Sequence, residues 1–349
     1  MNLNDYLAAA RRDGASDIHL VCGLPPRYRV DGALRDLEDR PLGAEECLET
    51  ARALAGEDFP RLEETGELDL AATLSGVRCR LNLFRQQGTW SAAIRLLSDR
   101  IPALEDLGLP PAVPGFLEFS RGLVLITGET GSGKSTTLAA LLQRINETRR
   151  LHILTLEDPV EYLYPAGLCT INQREVGRDT ASFAAGLRAA LREDPDVILV
   201  GEMRDLDTIQ TALTAAETGH LVFATVHTQS AADSVDRIVD VFPGERQRQT
   251  RLQLSMTLRA VLSQQLLPRK GGGRVLACEV MRTDTAIRNL IREGKTPQIR
   301  NAIQTTGAIG NILMERAVQN LYQSGAIARE TMERALQGLP DAAPGLAAR

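Results

Sequence analysis

The chain has 349 residues, 43% of them hydrophobic and 24% charged, with a formal net charge of −5. That length suits two domains with a sizeable core, and the acidic balance argues against an extended nucleic-acid footprint. Five scattered cysteines (Cys22, Cys47, Cys79, Cys169 and Cys278) include no C-x-x-C pair, which argues against a disulfide framework or a zinc site.

The first residues, "MNLNDYLAAARRDGASD", lack the apolar core of a signal peptide. No later run reaches the ~18 apolar residues of a membrane span. A cytoplasmic protein without direct membrane insertion is expected, docking at a membrane only through a partner. Residues 3–12 read as a helix with Leu3, Tyr6 and Leu7 on one face. Short strand-like runs follow: "DIHLV", "PRYRVDG", "LDLAATL", "GVRCRLNLF" and "SAAIRLL", interrupted by a helical stretch near 44–56. Side chains alternate along a strand, so Arg78, Arg80 and Asn82 share one face. Residues 1–97 are thus read as a small α+β domain. Pro102, Pro110, Pro111 and Pro114 place a linker and hinge at 98–115.

From Leu123 the pattern changes. The apolar runs "LVLIT", "HILTLE", "DVILVG" and "LVFATV" alternate with helical stretches. Continuous apolar runs suit strands buried on both faces of a parallel sheet, and their alternation with helices predicts a doubly wound α/β core within residues 116–337. Beyond residue 230 the chain reads as almost wholly helical, and 338–349 as a flexible tail.

Residues 128–135, "GETGSGKS", fulfil G-x-x-x-x-G-K-[ST] between a strand and a helix. Gly128, Glu129, Thr130, Gly131, Ser132 and Gly133 form the loop whose backbone N–H groups face phosphates, aided by the dipole of the following helix. Lys134 reaches the β and γ phosphates, Ser135 holds Mg²⁺, and Thr136 lies near the α-phosphate of the bound ATP. The strand "DVILVG" lacks the Asp that usually ends such a strand. Gly201 stands there, so metal and water handling fall to Glu202, with Glu157 and Asp158 of "LEDPVEY" as further acids and Glu161 as a weighed alternative. His227 ends the strand "HLVFATVH" where a γ-phosphate sensor belongs; His220 begins it.

Seven motifs in one order, "ASDIHL", "RVDG", "GETGSGKSTT", "LEDPVEY", "VGEMRD", "AAETGHLVFATVHT" and "AIRNLIRE", closely resemble the secretion ATPases of type II and type IV pilus systems, and within them the twitching-motility branch. The resemblance runs from Leu7 to about residue 336. It implies a PAS-like N-terminal domain, a RecA-like P-loop ATPase core with a helical C-terminal part, a homohexamer, and ATP hydrolysis coupled to pilus disassembly. It further implies an inner-membrane pilus platform protein as partner, at the inner face of the cytoplasmic membrane, with a paralogous pilus ATPase as another. The family's nucleotide-reaching arginines fall within "VRCRLNLFRQQGTWSAAIRLL". They carry over to Arg80 and Arg95, with Arg78 as a further candidate.

The retraction branch is favoured by three features: no long extra N-terminal domain, no tetracysteine insert, and "AIRNLIRE" at 286–293. In that helix Ile287, Leu290 and Ile291 face inward, while Arg288, Asn289, Arg292 and Glu293 face outward. The chain departs from the family at Glu129, where Pro is usual, at Cys79, where an aromatic is usual, and in "TTGAIGNILMERAVQNL". Four other readings stand beside the retraction motor: an accessory retraction ATPase, an assembly motor for pili or type II secretion, a DNA-translocating RecA-like motor, and a non-hydrolysing nucleotide switch. The acidic charge argues against the DNA motor and the full set of acids against the switch.

Overall fold

A computed structural model describes residues 3–97 and 100–339. The chain divides at Ile101/Pro102 into two compact units, and Pro159–Leu163 groups with the first.

The first unit contains α1 (Leu3–Arg12), β1 (Asp17–Val21), β2 (Arg27–Val30), β3 (Ala33–Asp36), α2 (Ala44–Ala55), α3 (Phe59–Thr65), β4 (Glu67–Leu74), β5 (Val77–Gln86) and β6 (Thr89–Leu96). Its six strands form a sheet of order β3-β2-β1-β6-β5-β4, antiparallel at every pairing. One face is apolar: Ile18, Leu20, Leu81, Leu83 and Ile94 pack against Tyr6, Leu7 and Ala10 of α1 and Cys47, Ala51 and Leu54 of α2. Along β5 burial alternates, with Val77, Cys79, Leu81 and Leu83 inside and Arg78, Arg80 and Asn82 on the opposite face. Cys79 is fully buried, so a small thiol fills the place of the larger side chain usual there. The edge strand β3 and the helix α3 were not expected; "ALRD" is exposed along its whole length and gives no apolar period to read.

The second unit contains β7 (Gly122–Thr127), α4 (Lys134–Thr148), β8 (His152–Glu157), β9 (Thr170–Glu175), α5 (Phe183–Ala190), β10 (Val197–Val200), α6 (Leu206–Glu217), β11 (Leu221–Val226), α7 (Ala231–Asp240), α8 (Gly244–Thr257), β12 (Leu258–Pro268), β13 (Arg274–Arg282), α9 (Thr285–Glu293), α10 (Ile299–Thr305), α11 (Met314–Gln323) and α12 (Arg329–Gln337). Seven strands run in the order β13-β12-β7-β11-β10-β8-β9. All neighbours are parallel except the β12–β13 pair. β7, β10 and β11 are buried at every residue, as strands covered on both faces must be.

The chain beyond residue 230 is not almost wholly helical, because β12 and β13 form a hairpin that extends the sheet past β7. β12 is buried on both faces and carries apolar residues on each, which erases the alternation that would distinguish it from a helix. Residues 102–115, read as linker, group with the second unit, where Leu104 and Val113 are buried within or beside two short helical turns (Leu104–Leu107 and Pro114–Glu118). Of the tail, Gly338 and Leu339 belong to the folded unit, Leu339 packing beside Leu336 and Ala335; residues 340–349 lie outside the described residues.

Candidate functional site

The parallel strands decide where the site lies. β7 runs out at Thr127 into the glycine-rich loop, which re-enters α4 at Lys134. Two glycines are demanded by geometry. Gly128 has φ 137°, and a Cβ there would lie 2.4 Å from Gln264 O. Gly133, at φ 94°, is the left-handed residue that turns the chain into α4. The first turn of α4 leaves N–H groups without intrahelical acceptors, a positive end suited to phosphate. Lys134 is largely buried and its Nζ donates to Gly128 O at 2.7 Å and Glu129 O at 2.9 Å, which holds the ammonium over the loop. Ser135 is exposed beside it, and Thr136 is half-buried.

A cavity of about 240 Å³ opens on this loop, lined by Gly128–Ser132 together with Gln229, Gln264, Gln265 and Met314. Three buried oxygens lie on these lining residues without a hydrogen-bond partner: Ser132 Oγ, Gln264 Oε1 and Gln265 Oε1. Gln264 is oriented by its other end, Nε2 donating to Thr137 Oγ1 at 2.7 Å. Unsatisfied buried polar atoms around a phosphate loop mark a polar ligand's place. Sequence alone does not single out the two glutamines, because "SQQLL" lies in a stretch whose pattern reads as helix.

Sheet order brings the other candidates together. β7, β11, β10 and β8 are neighbours, so their carboxyl ends set the loop, His227, Glu202 and Glu157 along one edge. Glu202 Oε2 lies 3.5 Å from His227 Nε2 and 2.8 Å from Arg204 Nε. The turn carrying Glu202 is tied to β11 by Met203 N, which donates to Thr225 O at 3.0 Å, and by Thr225 Oγ1, which donates to Gly201 O. At Gly201, where Asp is usual, a Cβ would lie 3.0 Å from Leu156 O and crowd the neighbouring strand, and Gly201 N donates to that oxygen at 2.7 Å. Glu157 Oε1 accepts from Thr155 Oγ1 at 2.6 Å and Gln173 Nε2 at 3.2 Å, which orients its carboxylate at the end of β8. Asp158 follows, exposed. Glu129 finds a partner in Gln229, whose Nε2 donates to Glu129 Oε1 at 2.9 Å and so ties the phosphate loop to the segment after His227. His220 sits at the other end of β11, its Nδ1 3.1 Å from Ala215 O, where it closes α6 rather than facing the loop.

The oxygen donors Ser135, Glu202, Glu157 and Asp158 are hard ligands of the kind Mg²⁺ takes. Among the described residues no cluster of three His, Cys, Asp or Glu side chains is poised for a metal. That donor set suits a cation carried mainly by phosphate and water rather than by a protein cage.

Arg80 and Arg95 belong to the first unit. They stand opposite each other across β5 and β6, on the face away from the apolar core. Arg95 Nε lies 2.9 Å from Asp17 Oδ1. Arg78 is engaged differently, donating from Nη2 and Nε to Val160 O at 2.7 and 3.1 Å. In α9 Ile287 and Ile291 are buried, Leu290 and Arg288 half-buried, and Asn289, Arg292 and Glu293 exposed. Among the described residues no helix is long and apolar enough to cross a membrane.

A family model described as type II/IV secretion system protein matches residues 1–342. The type IV pilus retractation ATPase PilT of Pseudomonas aeruginosa is 48% identical over 92% of this chain and 94% of its own length. The type IV pilus ATPase PilU of the same organism is 36% identical over 92% of this chain and 85% of its own. A crystal structure of the pilus retraction motor PilT with bound ADP superposes with a TM-score of 0.90 at 47% identity, covering 98% of each chain.

Proposed function

This chain belongs to the type II/IV secretion system protein family, and on that premise we propose that it is an ATP-hydrolysing motor that drives retraction of a type IV pilus. The observation that carries this reading is the 48% identity to PilT across nearly the full length of both chains. The likeness to PilU, at 36%, is lower and makes the accessory enzyme the second choice.

The chemistry assigns roles to this chain's residues. Backbone N–H groups of Gly131–Thr136 bind the phosphates, and Lys134 offsets charge on the β and γ groups. Glu202 accepts a hydrogen bond from the attacking water and takes its proton as the water oxygen bonds to the γ-phosphorus. The bond from that phosphorus to the β–γ bridging oxygen breaks, and ADP and phosphate leave. Glu157 helps to orient that water. His227, with Nε2 beside Glu202 Oε2, reports whether the γ-phosphate is present. Arg80 and Arg95 offset the charge of the transition state, Arg95 exchanging Asp17 for phosphate. Ser135, Glu202 and Asp158 would hold Mg²⁺, which when bound neutralises phosphate charge. The working form is a homohexamer at the inner face of the cytoplasmic membrane, acting on the pilus platform protein, with a paralogous pilus ATPase as a further partner.

Imaging of pili in a strain lacking this chain tests the reading. Pili that extend but no longer shorten support it. Loss of pili altogether would assign the chain to assembly instead.

A further inference from the structure

A buried acid outside the site described above holds the starts of two helices beside it. Glu279, in the middle of β13, is 4% exposed. Its Oε1 accepts from Ala231 N at 2.8 Å, and its Oε2 from Met314 N at 3.3 Å. Ala231 is the first residue of α7 and Met314 the first of α11, so one carboxylate sits at the amino ends of two helices, where the helix dipoles favour an anion. One helix start lines the cavity on the phosphate loop, and the other follows a residue that does. Met314 lines it directly, and Gln229, two residues before Ala231, lines it while bonded to Glu129 of the phosphate loop. His227 begins the same short connection between β11 and α7.

The sheet adds a third link. Glu279 stands opposite Ser263 in the β12–β13 register, and Ser263 opposite Thr127 in the β7–β12 register. Thr127 Oγ1 donates to Ser263 Oγ at 2.9 Å. A polar row of Thr127, Ser263 and Glu279 therefore crosses three strands on one face, starting at the residue before the phosphate loop. The charged groups facing Glu279 are Glu315 of α11 and Arg300 of α10, which pair at 2.7 Å. From α7 the Ala231 amide meets it, and from β12 Ser263 stands opposite it.

We propose that Glu279 is a positioning residue for the phosphate-reporting segment: by holding the first amides of α7 and α11 together, it fixes residues 227–230 against the phosphate loop and makes the C-terminal helices follow that segment. The proposal deepens the functional reading above and rests on it for the identity of the ligand. Its structural content does not: whether Glu279 fixes 227–230 is a question about the protein alone.

The test uses the full chain with Glu279→Gln, Ala231→Pro and the double variant. Proline is tolerated at the first position of a helix and lacks the N–H that Glu279 accepts, and Ser230 already has the extended backbone that precedes proline. Hydrogen exchange over residues 227–234 and ATP turnover are measured on the same preparations. The proposal expects exchange in that segment to rise by roughly tenfold in either single variant, as loss of a buried hydrogen bond implies. It expects kcat to fall by a similar factor while KM for ATP moves less than about threefold. It also expects the double variant to be no worse than the weaker single one. Unchanged exchange at 227–234 in Glu279→Gln, or strictly additive losses in the double variant, would overturn it. If Glu279→Gln does not fold, Ala231→Pro alone decides by the same exchange readout. A wild-type protein without ATP turnover would contradict the functional reading, while the exchange data would still decide the role of Glu279.

Discussion

In the seven-stranded sheet the candidate residues stand where strands stop: Glu157 ends β8, Glu202 lies two residues past β10, and His227 one past β11. In the six-stranded sheet Arg80 and Arg95 stand inside strands, side by side across β5 and β6. A parallel sheet buried on both faces has no face to offer a ligand, so chemistry collects along its carboxyl edge. An antiparallel sheet covered on one side offers its other face, and period-two alternation selects the residues. The same chain thus presents oriented acids from one unit and a pair of cations from the other. The acids have several partners: Glu157 accepts from Thr155 and Gln173, and Glu202 lies beside Arg204 and His227. Arg95, 63% exposed in its side chain, is held by one ion pair and is free to change partners.

Six substitutions probe that contrast, grouped in order of expected effect. Lys134→Ala removes the one buried ammonium over the phosphate loop, and ATP turnover should fall by roughly 10³-fold, as loss of a preorganised charge at a phosphoryl group does. Residual turnover within about tenfold of wild type would mean that the edge is not the catalytic region. Next comes the buried acid at the far strand. Burial pushes the Glu279 carboxyl up to about 7 from a usual 4.5, so the folded chain binds more protons than the unfolded one between those values. The contribution of Glu279 to stability is therefore fully present below pH 4.5 and lost as pH rises through 7. Relative to Glu279→Gln, wild type should lose on the order of 3 kcal/mol across that window, read as a shrinking Tm difference; a difference that stays flat with pH would contradict the burial argument.

Smaller effects are expected from the other sheet. Arg80→Ala or Arg95→Ala should lower kcat by roughly 10- to 100-fold if, as proposed, each offsets charge developing only in the transition state. Stability should change by about 1 kcal/mol or less, because both side chains lie outside the apolar core and Arg95 itself is largely exposed. A large Tm loss with unchanged kcat would make them structural. The smallest effect belongs to His220→Ala. At the amino end of β11 it should leave turnover within about twofold, against a much larger loss for His227→Ala, and equal losses would erase the distinction between the two strand ends.

Much of this arrangement was legible in the sequence because each signal was local. The loop "GETGSGKS" lies between an apolar run and a helix, and the four apolar runs became β7, β8, β10 and β11. The alternation in "VRCRLNLF" matches the burial along β5. What escaped depended on contacts distant in sequence. β12 carries apolar residues on both faces, and only Gly271–Gly273, all at positive φ, hinted at a hairpin. Gln264, Gln265 and Gln229 became visible as lining residues once the sheet was closed beyond β7. Glu279 did carry a signal, a single acid inside "LACEVM", but its two partners are 48 and 35 residues away. The grouping of Pro159–Leu163 with the first unit, although they directly follow β8, is a tertiary fact that adjacency in sequence conceals.

The central claim is that ATP is hydrolysed at the edge where Glu202 and His227 meet beside the phosphate loop. Phosphate release and ATP binding by purified Glu202→Gln protein test it most directly. ATP should bind with affinity within about threefold of wild type while phosphate release drops by at least ~100-fold. Phosphate release at the wild-type rate from that variant would contradict the account.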